Sequence, residues 1–458
     1  MPIMLTTKTK IIATIGPRTN AYKDIKDLHS AGMNAARINM SHASHSDAIT
    51  IIESIHRLNK KQSDLFGPIG IILDTQGPEI RTGINKSDID LQTGDIVNLT
   101  IRDDVDVETS SIKINYKGLI KSVEKGSKIS IDNGLLNFQV LGKDQENLKC
   151  RVLDGGTLGS KRHVNLPGVR IDLPSITKKD LKDINFGIKH NVSFIALSFV
   201  RSAKDILTLR SILKRKKSQI KIIAKIENQE GLDNIHEITQ AADIVMVARG
   251  DLGIETDLAD LPNIQRRIMY ASAKWGRRSI VATHLLESMI GNPTPTRAEV
   301  TDVANAIYEG SDAVMLSGET SIGKYPVQCI KMIKKIASKT ENFRTLGYEK
   351  FLQDNSDWQN IAKGARDLAA RINADAIVII TRSGQTANVV SNTKPFRMPI
   401  YAFTNNRDTF HQLSLIGGIQ PQFIKSITNQ SSTISKIKSI LNIEMKAKKS
   451  LKFVLIAG

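Results

Sequence analysis

Lys221-Ile-Ile-Ala-Lys225-Ile-Glu227 is an apolar strand with a cation and an anion at its far end. Successive side chains of a strand point to opposite faces, so Lys225 and Glu227, two apart, share one face and one site. Asp243-Ile-Val-Met-Val-Ala248 follows the same plan and runs into Arg249-Gly-Asp-Leu-Gly253, which brings a second carboxylate, Asp251, to a glycine-flanked strand end. Taken alone, a strand-end Lys-x-Glu is more often a structural ion pair than a catalytic centre. Arg249-Gly250-Asp251 also matches an adhesion tripeptide, but it directly follows a buried-type strand in a chain whose N-terminus shows no secretory signal.

Reading outward, strands are expected at Lys10–Ile15, Ala35–Ile38 and Ile69–Leu73, separated by helical periodicity around Tyr22–Ala31 and Ser46–Leu58. The alternation resumes with strands near Phe194–Phe199, Ile220–Ile226, Asp243–Ala248, Ser279–Thr283 and Asp312–Leu316. Alternating strands and helices are the grammar of a parallel sheet, and about eight such strands close a (β/α)8 TIM barrel. Between them, short alternating runs such as Ile96–Ile101, Lys128–Ile131 and Leu135–Val140, with turns at Thr93-Gly94, Lys125-Gly126 and Asn133-Gly134, predict an inserted small β-barrel domain. A helix over Trp358–Ile372 and strands over Ala376–Thr381 and Ile400–Phe403 predict a C-terminal α/β domain. The expected division is a barrel from residues 1–83 and 173–349, a β lid from 84–172, and a last domain from 350–458.

Barrel enzymes keep their chemistry at the C-terminal ends of the strands. Arg37, Asn39 and Ser41 follow the second strand, and Asp74, Thr75, Glu79 and Arg81 the third. Lys225 and Glu227 end the fifth, Arg249 and Asp251 the sixth, and Thr283 and Glu319 follow the seventh and eighth. Polar residues from separate strands converging on one rim are much harder to ascribe to chance than any single pair. Thr296 and Glu299, by contrast, have capping-box spacing and read as structural.

Composition excludes several classes. The 458 residues suffice for two or three domains, and no apolar run approaches the length of a membrane span. Cys150 and Cys329 stand far apart, outside any metal-ligand spacing, which fits a reducing compartment and predicts the cytoplasm. The net charge of +18 suits anionic ligands. Much of it is spread along helices, with a cluster from Lys425 to Lys452, and aromatic residues are few, so no specific nucleic-acid binding is expected.

Taken in order, Thr9-Lys-Ile-Ile-Ala-Thr-Ile-Gly-Pro17, Gly32-Met-Asn-Ala-Ala-Arg-Ile-Asn-Met-Ser-His42, Asp74-Thr-Gln-Gly-Pro-Glu-Ile-Arg-Thr-Gly83, Ile222–Gly231, Ala248–Gly253, Pro295–Ala306 and Met315-Leu-Ser-Gly-Glu-Thr320 resemble the pyruvate kinase family along nearly the whole chain. The resemblance implies phosphoryl transfer from phosphoenolpyruvate to ADP, giving pyruvate and ATP as the final step of glycolysis, with the homotetramer as the family's habit. It implies that Lys225 stabilises the phosphoryl group and the enolate, that Arg37 pairs with the substrate phosphate, and that Glu227 and Asp251 hold Mg²⁺ or Mn²⁺. Backbone N–H groups of Gly250 and Asp251, with the Thr283 hydroxyl, would take the substrate carboxylate. Thr283 also stands on the proton relay, where a water chain is the better donor because threonine is a poor acid. Asn39, Ser41, Asp74 and Thr75 match the family's K⁺ site, although such residues also cap turns readily. Glu79, where potassium-independent members carry lysine, implies potassium dependence. Asn39, His42 and Arg81 would meet the ADP phosphates. His42 and His45 invite a metal pair, but nothing completes the shell.

The chain departs from the family at Arg162-His-Val-Asn-Leu-Pro167, where Lys-Gly-Val-Asn-Leu-Pro is usual, so the nucleotide contact there passes to Arg162 with His163 in place of glycine. Gln76 stands where many members have lysine. Thr381, Ser383, Gly384 and Thr386 resemble the family's effector-phosphate loop. The family normally continues beyond Phe453–Gly458 through a glycine-rich loop and one more strand, which argues against activation by a sugar phosphate and leaves a sheet edge to be covered. Two other readings stay in view. A metal-dependent aldolase or lyase of the phosphoenolpyruvate/pyruvate barrel group would share the rim carboxylates but not Lys225, the cation set or the β insertion. A non-catalytic basic barrel associating with nucleic acid would be expected to have lost catalytic residues.

Overall fold

Parallel strands Lys10–Thr14, Ala35–Asn39, Gly70–Asp74, Phe194–Leu197, Lys221–Ile226, Ile244–Ala248, Arg278–Ala282 and Ala313–Leu316 pair in chain order, and the eighth closes on the first. This computed structural model describes residues 7–61, 67–103, 111–425, 430–444 and 451–457. The barrel strands are buried on both faces, which is why they read as unbroken apolar runs. Ile11, Ala13, Ile222, Ala224, Val245 and Val247 face the surrounding helices. Ile12, Ala35, Ile72, Ala196, Ile223, Met246, Ile280 and Met315 fill the interior.

That two-residue period places the polar groups. Arg37 is in phase with Ala35, Asp74 with Ile72, Ser198 with Ala196, and Lys225 with Ile223, so all four belong to the inward face at the C-terminal end. Lys10 and Arg278 are in phase with Ile12 and Ile280 at the opposite end, where Leu415 joins the interior core. There the Lys10 ammonium donates to Ile419 O at 2.5 Å, and Arg278 Nη1 donates to Ser391 Oγ at 2.7 Å. The floor of the barrel is therefore stitched to a strand and a helix of the C-terminal unit.

Between the third and fourth barrel strands, Val164–Asn165, Lys128–Ile131, Leu136–Lys143, Asn147–Asp154, Ile96–Thr100 and Ser111–Lys113 form a six-stranded sheet in that order. Ile89–Leu91 pairs with Gly156–Leu158 beside it. This inserted unit has its own apolar core around Leu99, Ile129, Phe138 and Leu148. The C-terminal sheet is parallel, ordered Ile419–Phe423, Ile400–Thr404, Ala376–Ile380, Phe453–Ala457, with helices Asp357–Arg371 and Gln385–Asn392 packed on it. Thr296 and Glu299 do form a capping box at the start of helix Arg297–Tyr308. Of the lysine cluster, Lys446, Lys448 and Lys449 lie outside the described residues. Among the described residues no helix is long and apolar enough to cross a membrane.

Candidate active site

Asp74 is the hub of the rim. Its Oδ2 accepts from Arg37 Nε at 2.6 Å, and its Oδ1 lies 3.2 Å from Lys225 Nζ, so one fully buried carboxylate bridges the two cations. Burial alone would push the Asp74 carboxyl up, but Lys225 and Arg37 more than offset this and hold it below the usual range. Lys225 is likewise opposed by burial, yet Asp74 and Glu227 raise its pKa, so the ammonium stays charged. Arg37 Nη1 also donates to Thr14 Oγ1 at 3.1 Å.

Ser198 completes the lysine's shell. Lys225 Nζ donates to Ser198 Oγ at 2.7 Å, and Ser198 Oγ donates to Thr75 O at 2.7 Å. Nothing in the sequence marks the end of the fourth strand, because a serine after Leu197 carries no charge signal. Gly77 is needed beside it. At φ +75 its missing side chain would otherwise lie 2.9 Å from both Ser198 and Phe199.

Glu227 Oε1 sits 2.9 Å from Lys225 Nζ, and its Oε2 accepts the Phe199 N–H at 2.6 Å. The Asp251 carboxyl lies beside that of Glu227. Burial pushes the Glu227 carboxyl up to about 7 and raises Asp251 as well, as expected of two carboxylates held together out of water. Among the described residues no three His, Cys, Asp or Glu side chains gather to enclose an ion. Glu227 and Asp251 are two neighbouring carboxylates, a donor set that would suit a hard divalent cation whose remaining positions would go to water and phosphate oxygens.

Across the rim, Thr283 and His284 both adopt left-handed backbone, φ +68 and +52. Two such residues in succession need support from their surroundings. Arg249 supplies it, with Nη2 donating to Thr283 O at 2.6 Å and Nη1 to Asp302 Oδ1 at 2.7 Å, so this buried arginine is structural. Glu319 is also structural, accepting the N–H groups of Leu286 and Ser317 at 3.1 and 2.7 Å. Gly250 N–H donates to Thr283 Oγ1 at 2.8 Å, bringing together two of the groups expected to take a substrate carboxylate. A Cβ on Gly250 would make only ordinary contacts with Thr283, so the chain's own packing does not demand glycine there.

Asn39 and Asp74 are register partners on adjacent strands, with Ser41 and Thr75 just beyond them. Asn39 Oδ1 accepts the Ser41 N–H at 3.1 Å, the turn-capping role open to such residues. His42 is exposed, and His45 is taken up by Asp183 at 2.7 Å and by stacking on Phe186, so the two do not converge on an ion. Glu79 Oε2 accepts from Arg81 Nε at 2.7 Å and Gln76 Nε2 at 2.9 Å. The lid reaches this corner through a bridge between Arg81 and His163 and through Thr82 N–H to Arg162 O at 2.8 Å. Arg162 is thereby brought near Arg81, although its exposed guanidinium lies 3.5 Å from Asp132 within the lid. Far from the rim, Thr381 Oγ1 accepts the Gly384 N–H at 3.0 Å, closing the turn Thr381–Gly384 ahead of helix Gln385–Asn392, so that Thr386 belongs to the helix and not to the loop.

Comparison with known proteins agrees along the chain. Residues 6–330 match the family model "Pyruvate kinase, barrel domain" and residues 359–458 match "Pyruvate kinase, alpha/beta domain". The pyruvate kinases of Staphylococcus aureus strains MRSA252 and NCTC 8325 are each 43% identical over 423 residues, covering 90% of this chain and 71% of theirs. The crystal structure of a pyruvate kinase from Cryptosporidium parvum superposes with a TM-score of 0.95 at 34% identity, over 99% of this chain and 94% of that one. Neither the aldolase or lyase reading nor the non-catalytic one is favoured by these matches. With a closed eight-stranded barrel, an inserted β unit, a C-terminal α/β unit and these matches together, the chain belongs to the pyruvate kinase family, whose members are metal-dependent phosphotransferases.

Proposed function

We propose that this chain transfers the phosphoryl group of phosphoenolpyruvate to ADP at the rim built around Asp74, giving pyruvate and ATP. The observation that carries the reading is the Arg37–Asp74–Lys225 bridge set directly beside the Glu227–Asp251 pair. Phosphoryl transfer spreads charge over equatorial oxygens and asks the protein mainly for position and positive charge. Arg37 and Lys225 are held inward by a shared carboxylate and present two cations without side-chain freedom to lose. Guanidinium geometry suits Arg37 to the substrate phosphate, and Lys225 suits the transferring group and then the enolate oxygen. Mg²⁺ or Mn²⁺ bound through Glu227 and Asp251 would add positive charge on the phosphate oxygens. Thr283 Oγ1 already donates to Ala282 O at 2.6 Å and accepts from Gly250, an arrangement better suited to orienting a protonating water than to giving up its own proton.

Asn39, Ser41, Asp74 and Thr75 would offer an all-oxygen set to K⁺, and Asn39, His42, Arg81 and Arg162 would meet the ADP phosphates. Thr381, Ser383, Gly384 and Thr386 would form an anion-binding turn. We assign the barrel to residues 1–83 and 173–349, the lid to 84–172 and the last domain to 350–458, a division supported by distinct apolar cores around the barrel strands, within the lid and within the last domain. Trp358, Ile361, Leu368 and Ile372 leave an apolar stripe exposed along helix Asp357–Arg371 and its cap, which supports self-association into a homotetramer. Free buried Cys150 and Cys329 support a cytoplasmic location. A coupled assay of pyruvate formation from phosphoenolpyruvate, ADP and Mg²⁺ tests the reading, run with K⁺ or with tetramethylammonium in its place. Turnover only with K⁺ supports reaction and cation site together. Folded protein with no turnover in either condition contradicts the assignment.

A further inference from the structure

One short lid strand reaches towards both carboxylates of the divalent-cation site. Val164–Asn165 pairs with Lys128–Ile131 inside the lid, and residues on and beside it touch the barrel at two places. At the first, the His163 ring lies 6.0 Å from the Phe199 ring, within aromatic contact range. The Phe199 N–H is the group that donates to Glu227 Oε2 at 2.6 Å, and Phe199 has φ +53, a left-handed backbone that a bulky residue keeps only when its neighbours hold it. At the second, Asn165 Nδ2 donates to Glu255 Oε1 at 2.8 Å. Glu255 ends the helix Arg249–Glu255, whose first turn carries Asp251. Asn165 and Glu255 are 2% and 9% exposed, so the second contact is made out of water.

We propose that lid residues His163 and Asn165 are positioning residues for the divalent-cation site, His163 acting on Glu227 through Phe199 and Asn165 acting on Asp251 through Glu255. The inference rests on the assignment of Glu227 and Asp251 to the metal made above. The first arm is a feature of this chain, because the resembling family usually has glycine at the position of His163. A lid moved by nucleotide would then alter the spacing of both carboxylates, and by linkage a bound cation would alter the lid's hold on nucleotide.

The test is Mn²⁺ binding to the full-length, substrate-free protein, followed by water-proton relaxation. His163→Gly and Glu255→Ala should each weaken Mn²⁺ about tenfold, the lower end for groups that support metal ligands from outside. Glu255→Gln keeps a side-chain oxygen for the Asn165 amide and should stay within about twofold of the parent. Added ADP should tighten Mn²⁺ in the parent and do so less in His163→Gly. His163→Ala, which removes the ring at less cost to the strand, decides the question if the glycine variant or Glu255→Ala fails to fold. Equal Mn²⁺ affinity in the parent, the His163 variants and Glu255→Ala would overturn the coupling alone. A parent that binds no Mn²⁺ would overturn the metal assignment and the coupling with it.

Discussion

Ser198→Ala isolates the contribution of the one neutral side chain that, among the described residues, grips Lys225. Ser198 Oγ accepts from Lys225 Nζ at 2.7 Å, donates to Thr75 O at 2.7 Å, and is 1% exposed. A hydrogen bond to a charged group is worth about 1.5–3 kcal/mol. Alanine removes it while Glu227 at 2.9 Å and Asp74 at 3.2 Å still hold the ammonium, so the lysine stays charged and loses orientation. A deficit of about 2 kcal/mol at the transition state corresponds to about thirtyfold in rate. The assay is pyruvate formation coupled to NADH oxidation at saturating Mg²⁺ and K⁺. The loss should appear in kcat, with KM for phosphoenolpyruvate changing less, because misplacement of the ammonium is felt most where charge develops. Stability should fall by about 2–4 kcal/mol, because the bonds to the charged Lys225 and to Thr75 O are both lost. A folded variant with kcat within about twofold of the parent would refute the reasoning and reduce Ser198 to a packing role.

Burial lowers Lys10 from 10.5 to about 8, a difference of about 3 kcal/mol. Between those values the unfolded chain binds the proton and the folded chain does not, so the penalty is full below pH 8 and fades as pH rises to 10.5. Lys10→Met should therefore stabilise the protein by about 2 kcal/mol at pH 7, after about 1 kcal/mol lost with the Ile419 O bond, and the gain should vanish by pH 10; denaturant titrations showing a pH-independent gap would contradict this. Glu79→Lys replaces the acceptor of Arg81 and Gln76 with a cation beside the proposed K⁺ set, and should leave turnover less dependent on K⁺. An unchanged potassium titration would count against that role.

The barrel was legible because strands buried on both faces leave no alternation to obscure them, and Ile220–Ile226 returned as Lys221–Ile226. The rim was legible wherever a charge interrupted such a run, as at Arg37, Asp74, Lys225 and Glu227. What one strand does to another was not. That both oxygens of Asp74 would be engaged by cations from the second and fifth strands, or that Ser198 and the Phe199 N–H would support the lysine and the carboxylate, depends on barrel closure. Ile419–Phe423 was not foreseen as a strand because Pro421 interrupts it; it stands at the sheet edge, where proline is tolerated. Asn147–Asp154 is legible in the same way as the other lid strands, since Leu148 to Val152 alternate buried and exposed.

Lys225→Met tests the central claim most directly, since it keeps the length of the side chain and removes its charge. The variant should bind Mn²⁺ and phosphoenolpyruvate with affinities near those of the parent, because Arg37, Glu227 and Asp251 remain, yet lose pyruvate formation by about a thousandfold, the scale of removing a charge aimed at the transition state. Turnover within about tenfold of the parent, in protein that still binds both, would contradict the account.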